Sequence, residues 1–521
     1  MTTFYIQQFG CRATQADGAA LERQLLDRGC TQSPDAASAS IVVLNTCTVT
    51  AAADAQARDA IRKIHVQNPA ARLIVTGCYA QRAPEELAQL PGVTHVVGNS
   101  HKPQIPNLVT QIVPAAPSLV GAQRVARHLG NVSPPAANSH DPAQILTSDI
   151  FAHPEFLSAP IQGGESHHTR PILKIQDGCN NRCSFCIIPY VRGKSRSLAP
   201  DQVIREIQSL VGQPILAVHQ PAREVPAAQA LLPVIVSFSS TSSNSSTPAR
   251  LHPAREIVLS GINLGTYGRD LTPRVEFLDL IRRILDETKL DRLRISSIEP
   301  QDVTQDLIDL FASTDRIAHH FHMPLQSASD PILAAMHRWY RSEHYARRVQ
   351  LIHDRLPHAA LGADVIAGFP GETESDHNAT LNFIEQRPFT YLHVFSYSPR
   401  PGTKAASMPN QVPGHVIKRR ARELRGLSEA KSATFRRAQI GRTHRVLTLH
   451  RDEHFVNDRT GAAYTPALSS NYLRVQIPGV HPSNHWQDVV VTAEEGNNLI
   501  GEPISVFDEL SVPSVLSASS V

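Results

Sequence analysis

The chain has 521 residues, 41% of them hydrophobic, and a formal net charge of only +3. That length accommodates two or three domains with ordinary cores, and no apolar run reaches the roughly eighteen residues that a membrane span needs. The start lacks a basic region followed by an apolar one, so no secretory signal is expected. Seven cysteines are too few for a disulfide scaffold. We therefore expect a protein of the reducing cytoplasm.

The first hundred residues alternate between strand and helix patterns. Strands are predicted at 3–8, 41–45, 73–76 and 93–98, and helices at 18–28, 51–66 and 84–90. This alternation predicts a small parallel sheet covered by helices.

Three cysteines follow the ends of three of these predicted strands. They are Cys11, Cys47 and Cys78. Ligands of open parallel sheets bind at the carboxyl ends of the strands, so the three thiols could meet in a shared metal site. The alternative for each is a small buried residue, because cysteine is often buried.

Two irregular stretches separate the patterned regions. Residues 114–168 are expected to be a connector with at most one short strand or helix. Residues 212–255, inserted between a predicted helix and the next predicted strand, are rich in proline, alanine and serine, which suits an exposed or disordered loop.

Cys179-Asn-Asn-Arg-Cys183-Ser-Phe-Cys186 places three thiols within eight residues. Thiolates are the usual ligands of iron–sulfur clusters, and a four-iron cluster with three of them keeps one iron open. A structural zinc site wants four protein ligands, so a Cys3His site using His167 or His168 is the alternative.

The segment PILKIQDGCNNRCSFCIIPYVRGKSRS (171–197) resembles the cluster loop of the radical S-adenosylmethionine (SAM) superfamily, and within it the methylthiotransferases. GCRATQAD, NTCTVT and GCYAQ are similar to the amino-terminal domain of that family. The resemblance implies SAM and two [4Fe–4S] clusters. The SAM-binding cluster would lie on Cys179, Cys183 and Cys186, which would be the catalytic cysteines, and an auxiliary cluster on Cys11, Cys47 and Cys78.

Residues 171–400 repeat a strand-then-helix unit six times. Strands are predicted at 172–176, 256–261, 293–298, 319–324, 363–369 and 391–397, and helices at 200–210, 277–287, 304–311, 330–336, 343–355 and 374–385. Six units predict a partial parallel barrel with its chemistry at the C-terminal strand ends.

The barrel strand ends carry residues that match the SAM contacts of the family. The expected contacts are Gly261, Asn263, Ser297, Glu299, Gln326, Gly368 and Gly371. Each also has an ordinary interpretation as a turn or helix cap, and GFPGET (368–373) in particular could cap the next helix. Asp364 could line the barrel interior or be a hydrogen-bonded core carboxylate.

The C-terminal part begins with a basic stretch over 414–445, which predicts a long helix leading into a strand. Between Lys418 and Arg445 there are ten Lys or Arg and two Glu, which indicates either a solvated face or contact with RNA phosphates. Short strands follow, typical of a small oligonucleotide-binding barrel, and they resemble the TRAM domain of the methylthiotransferases. The residues expected to contact RNA are Arg192, Lys194, Arg196, Lys418, Arg419, Arg436, Arg437 and Arg442.

The expected fold class is therefore α/β. An N-terminal open parallel domain (1–113) and the connector precede a partial (β/α)6 radical SAM barrel (169–438), which is followed by a TRAM-like barrel (439–508) and a loose tail (509–521).

The resemblance implies a tRNA methylthiotransferase. One SAM would methylate sulfur carried by the auxiliary cluster, and cleavage of a second would yield a radical that takes hydrogen from C2 of a modified adenine. The motifs are most similar to enzymes acting on N6-threonylcarbamoyladenosine; isopentenyladenosine is the alternative substrate. The implied partners are tRNA, a flavodoxin- or ferredoxin-like electron donor and a sulfur donor, with no membrane. Two rival hypotheses are a non-catalytic iron–sulfur RNA-binding protein and a radical SAM enzyme whose second cluster only relays electrons.

Overall fold

The computed structural model describes residues 2–112, 142–153, 169–213, 253–450, 455–456 and 463–504. Most of the predicted connector, including His167 and His168, lies outside the described residues. So do most of the predicted insertion and the whole predicted tail.

The N-terminal region is a six-stranded, fully parallel sheet in the order β2-β1-β3-β4-β5-β6. The strands are β1 (Thr3–Gln8), β2 (Thr31–Gln32), β3 (Ile41–Thr46), β4 (Arg72–Gly77), β5 (Val93–Gly98) and β6 (Gln144–Leu146). The helices are α1 (Arg12–Asp27), α2 (Ala51–Gln67), α3 (Cys78–Arg82), α4 (Pro84–Ala88) and α5 (Ile105–Ile112). The four predicted strands are confirmed. β6 adds an edge strand from the segment expected to be a connector.

Local sequence explains the central elements of this sheet. β3 is buried along its whole length, as expected for an apolar strand covered on both faces. α2 begins where the Thr50 hydroxyl accepts a hydrogen bond from the Ala53 N–H at 3.2 Å, a standard N-cap.

The central region is an arc of six parallel strands with helices outside. Its strands are β7 (Ile172–Lys174), β10 (Glu256–Ser260), β11 (Arg292–Ile295), β12 (His320–His322), β13 (Ala360–Ala367) and β14 (Tyr391–Ser396), while β8 (Gln176–Asp177) and β9 (Arg196–Ser197) form a small hairpin. The helices are α6 (Ile188–Arg192), α7 (Pro200–Leu210), α8 (Phe277–Glu287), α9 (Gln305–Ala312), α10 (Asp330–Ala335), α11 (Ser342–Arg355), α12 (Glu374–Glu385) and α13 (Gly414–Arg437).

Pairing joins β7, β10 and β11 in one half of the arc and β12, β13 and β14 in the other. A parallel bridge between Leu293 and Ile317 connects the halves. Among the described residues, β7 and β14 are not paired, so the barrel is open, as predicted. The largest apolar core of the chain lies between these strands and their helices.

The C-terminal region is a closed five-stranded barrel. Its strands are β15 (Thr443–Thr448), β17 (Ala463–Ser469), β18 (Arg474–Pro478), β19 (Trp486–Glu495) and β20 (Asn498–Pro503), with β16 (Phe455–Val456) at an edge. Closure comes from the antiparallel pairing of β15 with β17. α13 ends at Arg437 and β15 begins at Thr443, so the predicted helix leading into a strand over 414–445 is confirmed.

The turn after β17 seals the N-terminal end of the central barrel. Arg292 and Arg294 of β11 donate to the carbonyls of Leu468 and Ser469 at 3.1 and 2.9 Å. The ring of Tyr472 stacks on His320, the first residue of β12, at 4.5 Å. Buried Glu256 forms ion pairs with both arginines, as buried charges require. The opposite, C-terminal strand ends remain for the functional site.

Candidate active site

The N-terminal cysteines lie at the ends of three adjacent strands. Cys11 follows β1 and precedes α1, whereas Cys47 and Cys78 come directly after β3 and β4. Cys47 and Cys78 are buried and Cys11 is exposed. Gly10 has φ +89°, and a Cβ there would lie 2.3 Å from Cys47 Cβ. Glycine therefore allows the segment bearing Cys11 to reach Cys47.

The thiol chemistry at these strand ends favours a metal. Burial, followed by the neighbouring Cys78 and Cys11, raises the pKa of Cys47 to about 12. All seven cysteines of the chain are free. Thiols of this kind stay protonated alone and lose their protons when a metal coordinates them. The donor set fits an iron–sulfur cluster.

A buried ion network lies between these cysteines and the central barrel. Asp17 of α1 pairs with Lys102 at 2.9 Å, with Arg192 at 3.1 Å and with Lys174 of β7. Asp177 pairs with Lys174 at 2.8 Å and with Arg192 at 2.9 Å. Burial alone would raise the pKa of Asp17, but the three cations outweigh it and lower the pKa to about 2. The network fixes the N-terminal sheet against the barrel.

The prediction that Arg192 contacts RNA is therefore corrected. Its side chain is fully buried, because two carboxylates hold the guanidinium in the interior. Its Nη2 also donates to the Thr14 hydroxyl at 3.3 Å, and that hydroxyl lies 3.6 Å from Cys11 Sγ. Arg192 thus supports the first cysteine site.

The second cysteine triad occupies the loop between β8 and α6. Three N–H donors point at its sulfurs. The Asn181 N–H and the Asn263 Nδ2 lie 3.4 and 3.9 Å from Cys179 Sγ, and Arg338 Nη1 lies 3.3 Å from Cys183 Sγ. Burial, followed by the nearby Cys183, raises the pKa of Cys186 to about 12. Hydrogen bonds to cluster sulfurs are a normal part of iron–sulfur ligation, so this loop also fits a cluster.

A cavity of about 220 Å³ lies between the two cysteine regions. Val49 and Thr50, which follow Cys47, form one wall, and Cys186 belongs to another. The remaining lining residues are Phe185, Ile187, Ile188, Gln326, Asp364, Ile366, Phe395, Ser396, Tyr397, Ser398 and Arg400. A ligand in this cavity would contact the neighbourhood of both triads.

The residues predicted to contact SAM differ in their surroundings. Asn263 and Gln326 lie at the cysteine loop and in the cavity wall, and Glu299 forms an ion pair with Arg338, the donor to Cys183. Gly261 and Ser297 follow β10 and β11 and are partly exposed.

Gly368 and Gly371 are also predicted SAM contacts, but neither of them lines the cavity. The Gly368 N–H donates to Glu372, and the Thr373–Asp376 capping box starts α12 just afterwards. For this loop, the contacts support the helix-cap interpretation.

The sequence singles out Asp364 but not the two histidines that bond to it. His322 and His393 donate to the same oxygen of Asp364, at 3.0 and 3.3 Å. Burial alone would raise the pKa of Asp364, but these two bonds hold it well below its usual range. The residues come from β12, β13 and β14, so only the barrel register brings them together. No local motif marks them.

The other basic residues predicted to contact RNA differ in their surroundings. Lys194 and Lys418 are exposed. Arg196 donates to the carbonyls of His153 and Arg192, and the remaining predicted arginines have partners nearby: Arg419 with Glu374, Arg436 and Arg437 with Glu494, and Arg442 with His358. Lys418 lines a depression of about 480 Å³ with Arg422, Arg425 and Ser396. Ser396 also lines the cavity, so the two are adjacent.

The sequence is similar to two families of proteins and to several characterised enzymes. Residues 3–98 match UPF0004, described as an uncharacterized protein family, and residues 251–384 match the radical SAM superfamily. The threonylcarbamoyladenosine tRNA methylthiotransferase MtaB of Bacillus subtilis is 31% identical, covering 92% of this chain and 91% of the relative. The tRNA-2-methylthio-N6-dimethylallyladenosine synthase of Syntrophobacter fumaroxidans is 31% identical, covering 85% and 84%.

This chain belongs to the radical SAM methylthiotransferase family. The radical SAM methyltransferase TsrM of Kitasatospora setae has the same type of fold, with a TM-score of 0.51, 15% identity, and coverage of 78% of this chain and 77% of that one. The methylthiotransferase is an enzyme whose cofactors are SAM and [4Fe–4S] clusters. Across the described part of the chain, every helix is too short or too polar to cross a membrane.

Proposed function

We propose that this methylthiotransferase acts on tRNA and converts N6-threonylcarbamoyladenosine to its 2-methylthio derivative. The observation that carries the proposal is the cavity whose walls come from both cysteine regions. Methylthiolation needs a radical generator and a sulfur carrier that reach one substrate atom, and a shared cavity meets that need. The relatives from B. subtilis and Aquifex aeolicus, threonylcarbamoyladenosine tRNA methylthiotransferases that are 31% and 30% identical, support this substrate.

In this proposal Cys179, Cys183 and Cys186 bind the cluster that holds SAM. A second cluster occupies the strand-end site on Cys11, Cys47 and Cys78. When bound, these groups supply the electron, the radical chemistry and the sulfur. The protein's task is to bind, orient and shield them.

Several side chains are placed for that task. Arg338 and Asn263 direct N–H groups at the sulfurs of Cys183 and Cys179, and such hydrogen bonds are a normal part of iron–sulfur ligation. Glu299, which pairs with Arg338, offers carboxylate oxygen to the amino group or ribose of SAM. Phe395 and Tyr397 give the cavity aromatic walls against which a purine could stack while water is excluded.

The depression beside the cavity suits the tRNA backbone. Lys418, Arg422 and Arg425 supply three cations against one carboxylate, Glu429. Because Ser396 belongs to both depression and cavity, a phosphate bound by these cations would lie next to the reacting base. The closed C-terminal barrel is of a type that holds oligonucleotides.

The reaction also requires a reduced flavodoxin- or ferredoxin-like donor and a sulfur donor. A tRNA substrate and these proposed partners support a cytoplasmic location.

Iron and acid-labile sulfide in anaerobically reconstituted protein provide the first test. We expect about eight irons per chain, falling to about four in the Cys179/Cys183/Cys186→Ala triple variant, because each four-iron cluster is lost as a unit. Four irons in the wild type, all lost in the variant, would leave a single-cluster protein and contradict the proposal.

Mass spectrometry of tRNA nucleosides then tests the substrate. Purified enzyme should add methylthio to tRNA carrying threonylcarbamoyladenosine and leave tRNA carrying only isopentenyladenosine unchanged. The S. fumaroxidans relative makes the second substrate the competing candidate. Product on that tRNA alone would reverse the assignment.

A further inference from the structure

An exposed tryptophan stands on a fixed turn beside the cysteine loop. Trp339 is 75% exposed, whereas its neighbours Arg338 and Tyr340 are buried. The Tyr340 hydroxyl bonds to the carbonyls of Pro324 and Leu325 at 2.7 and 2.9 Å. The turn is therefore held in place while the largest apolar side chain faces water.

Hydrogen bonds of His337 link the turn that bears Trp339 to the cysteine loop and to Lys404. His337 Nδ1 donates to the Arg182 carbonyl at 3.2 Å, and Lys404 Nζ donates to His337 Nε2 at 3.3 Å. Arg182, His337, Trp339 and Lys404 are all exposed, and we name them the Trp339 patch. Trp339 directly follows Arg338 in the chain, and the guanidinium of Arg338 bonds to Cys183 Sγ.

The Trp339 patch and the substrate cavity lie on different parts of the cysteine loop. Residues 185–188 face the cavity, whereas the Arg182 carbonyl and the Cys183 thiol bond to residues of the Trp339 turn. The Arg182 guanidinium lies over the rings of Phe151 and Tyr190, outside the cavity lining. No member of the patch lines the cavity or the cationic depression on α13. The patch thus gives access to a cluster ligand away from the side where RNA would enter.

The patch chemistry suits a small acidic protein. Arg182 and Lys404 contribute two positive charges, and none of the four residues is acidic. Tryptophan and arginine are both enriched at the centres of protein interfaces. Transient redox complexes are small and depend on charge complementarity.

We propose that the Trp339 patch is the docking surface for the electron donor, an acidic protein carrying a flavin or an iron–sulfur centre. This inference rests on the proposed function, which requires a reductant. One electron leaves the donor, which is oxidised by one electron, and enters the cluster on Cys179, Cys183 and Cys186. No bond forms and no proton moves in this step.

The test compares two reductants on the cluster-loaded full chain. Flavodoxin and ferredoxin serve as protein donors, and dithionite as a small donor that needs no docking surface. Trp339→Ala and the double variant Arg182→Glu/Lys404→Glu are measured for donor affinity and for deoxyadenosine formation from SAM without RNA. The matched control is Lys63→Glu/Val66→Ala on α2, where Val66 is 77% exposed.

We expect both patch variants to bind the protein donor at least about tenfold more weakly, as for a central tryptophan or a reversed charge pair. SAM cleavage with that donor should fall in parallel, while cleavage with dithionite stays within about twofold of wild type. Trp339→Phe should retain most of the affinity, and the α2 control should match the wild type in both assays.

Three results would overturn the inference. Equal loss with both reductants would make the patch a support for the cysteine loop. Unchanged donor affinity with weakened binding of an anticodon stem-loop would make it an RNA surface. If the wild-type protein accepts electrons from neither protein donor, the proposed partner is wrong. Because no methylthio product is measured, failure of the proposed function on tRNA would appear separately.

Discussion

The two cysteine triads are built in opposite ways. Cys179, Cys183 and Cys186 lie in eight consecutive residues, so local chain geometry brings them together. Cys11, Cys47 and Cys78 are separated by 36 and 31 residues and meet only because β1, β3 and β4 are neighbours in a parallel sheet. One site is therefore a property of a loop, and the other is a property of a folded domain. The second should be more sensitive to changes far from its thiols.

The first prediction separates the chemistry of the two sites. Cys47→Ala should abolish methylthio product, since the auxiliary site loses a ligand, yet leave deoxyadenosine formation near the wild-type rate. Cys183→Ala should abolish both. Product analysis and SAM cleavage on the same preparations check this, and equal loss of both activities in Cys47→Ala would show that the sites are not independent.

The second prediction concerns the ion network behind the N-terminal site. Asp17→Asn leaves Lys102, Lys174 and Arg192 with one fewer negative charge in the interior, and removing one partner of a buried pair costs about 3–5 kcal/mol. Denaturant unfolding should reveal this loss, and iron should fall first at the N-terminal site.

Asp59→Asn is the matched control for Asp17→Asn, because Asp59 pairs with Arg62 on the surface of α2 and is 76% exposed. That change should cost well under about 1 kcal/mol. A similar loss in the free energy of unfolding of the two variants would show that the buried network stabilises the protein no more than a surface ion pair does.

The third prediction is the pH dependence of that network. The pKa of Asp17 is lowered from 3.8 to about 2, so its ionised form is favoured by folding. The resulting stabilisation, roughly 2 kcal/mol, is complete above about pH 4 and declines as the pH falls toward 2. Acid unfolding of the cluster-free protein should show this decline in the free energy of unfolding. Asp17→Asn should remove the part of the pH dependence that Asp17 contributes. A variant curve parallel to the wild type would contradict the assignment.

The smallest effect is expected at the cysteine loop. Asn263→Ala removes a long contact of 3.9 Å to Cys179 and leaves the closer Asn181 N–H in place. A weak hydrogen bond contributes about 0.5 kcal/mol, so the rate of SAM cleavage should change by about twofold. Loss of iron from the loop would instead mean that Asn263 is needed to form it.

The same contrast explains what the sequence could predict. Strand and helix patterns located the parallel sheet and the six barrel strands within a few residues, because buried apolar runs and caps are local signals. The cysteine spacing identified the loop site for the same reason.

The features that the sequence did not predict depend on partners that are far apart in the chain. Arg192 is interpreted as a surface cation until Asp17, 175 residues earlier, is seen beside it. His322, Asp364 and His393 are three ordinary residues until the strand register aligns them. α13 carries the basic residues that the sequence shows, but the sequence does not reveal that one of them, Arg419, is paired with Glu374, 45 residues before it.

The turn after β17 makes the last domain difficult to exchange. Arg294 donates to the carbonyls of Ser469 and Ser470, and Tyr472 covers His320 at the base of β12. A chimaera that joins residues 2–438 to a different RNA-binding module would leave these groups facing an unmatched surface. Transplantation should therefore succeed only if the Ser469–Ser470–Asn471–Tyr472 turn travels with the catalytic part, which makes those four residues the natural boundary for domain engineering.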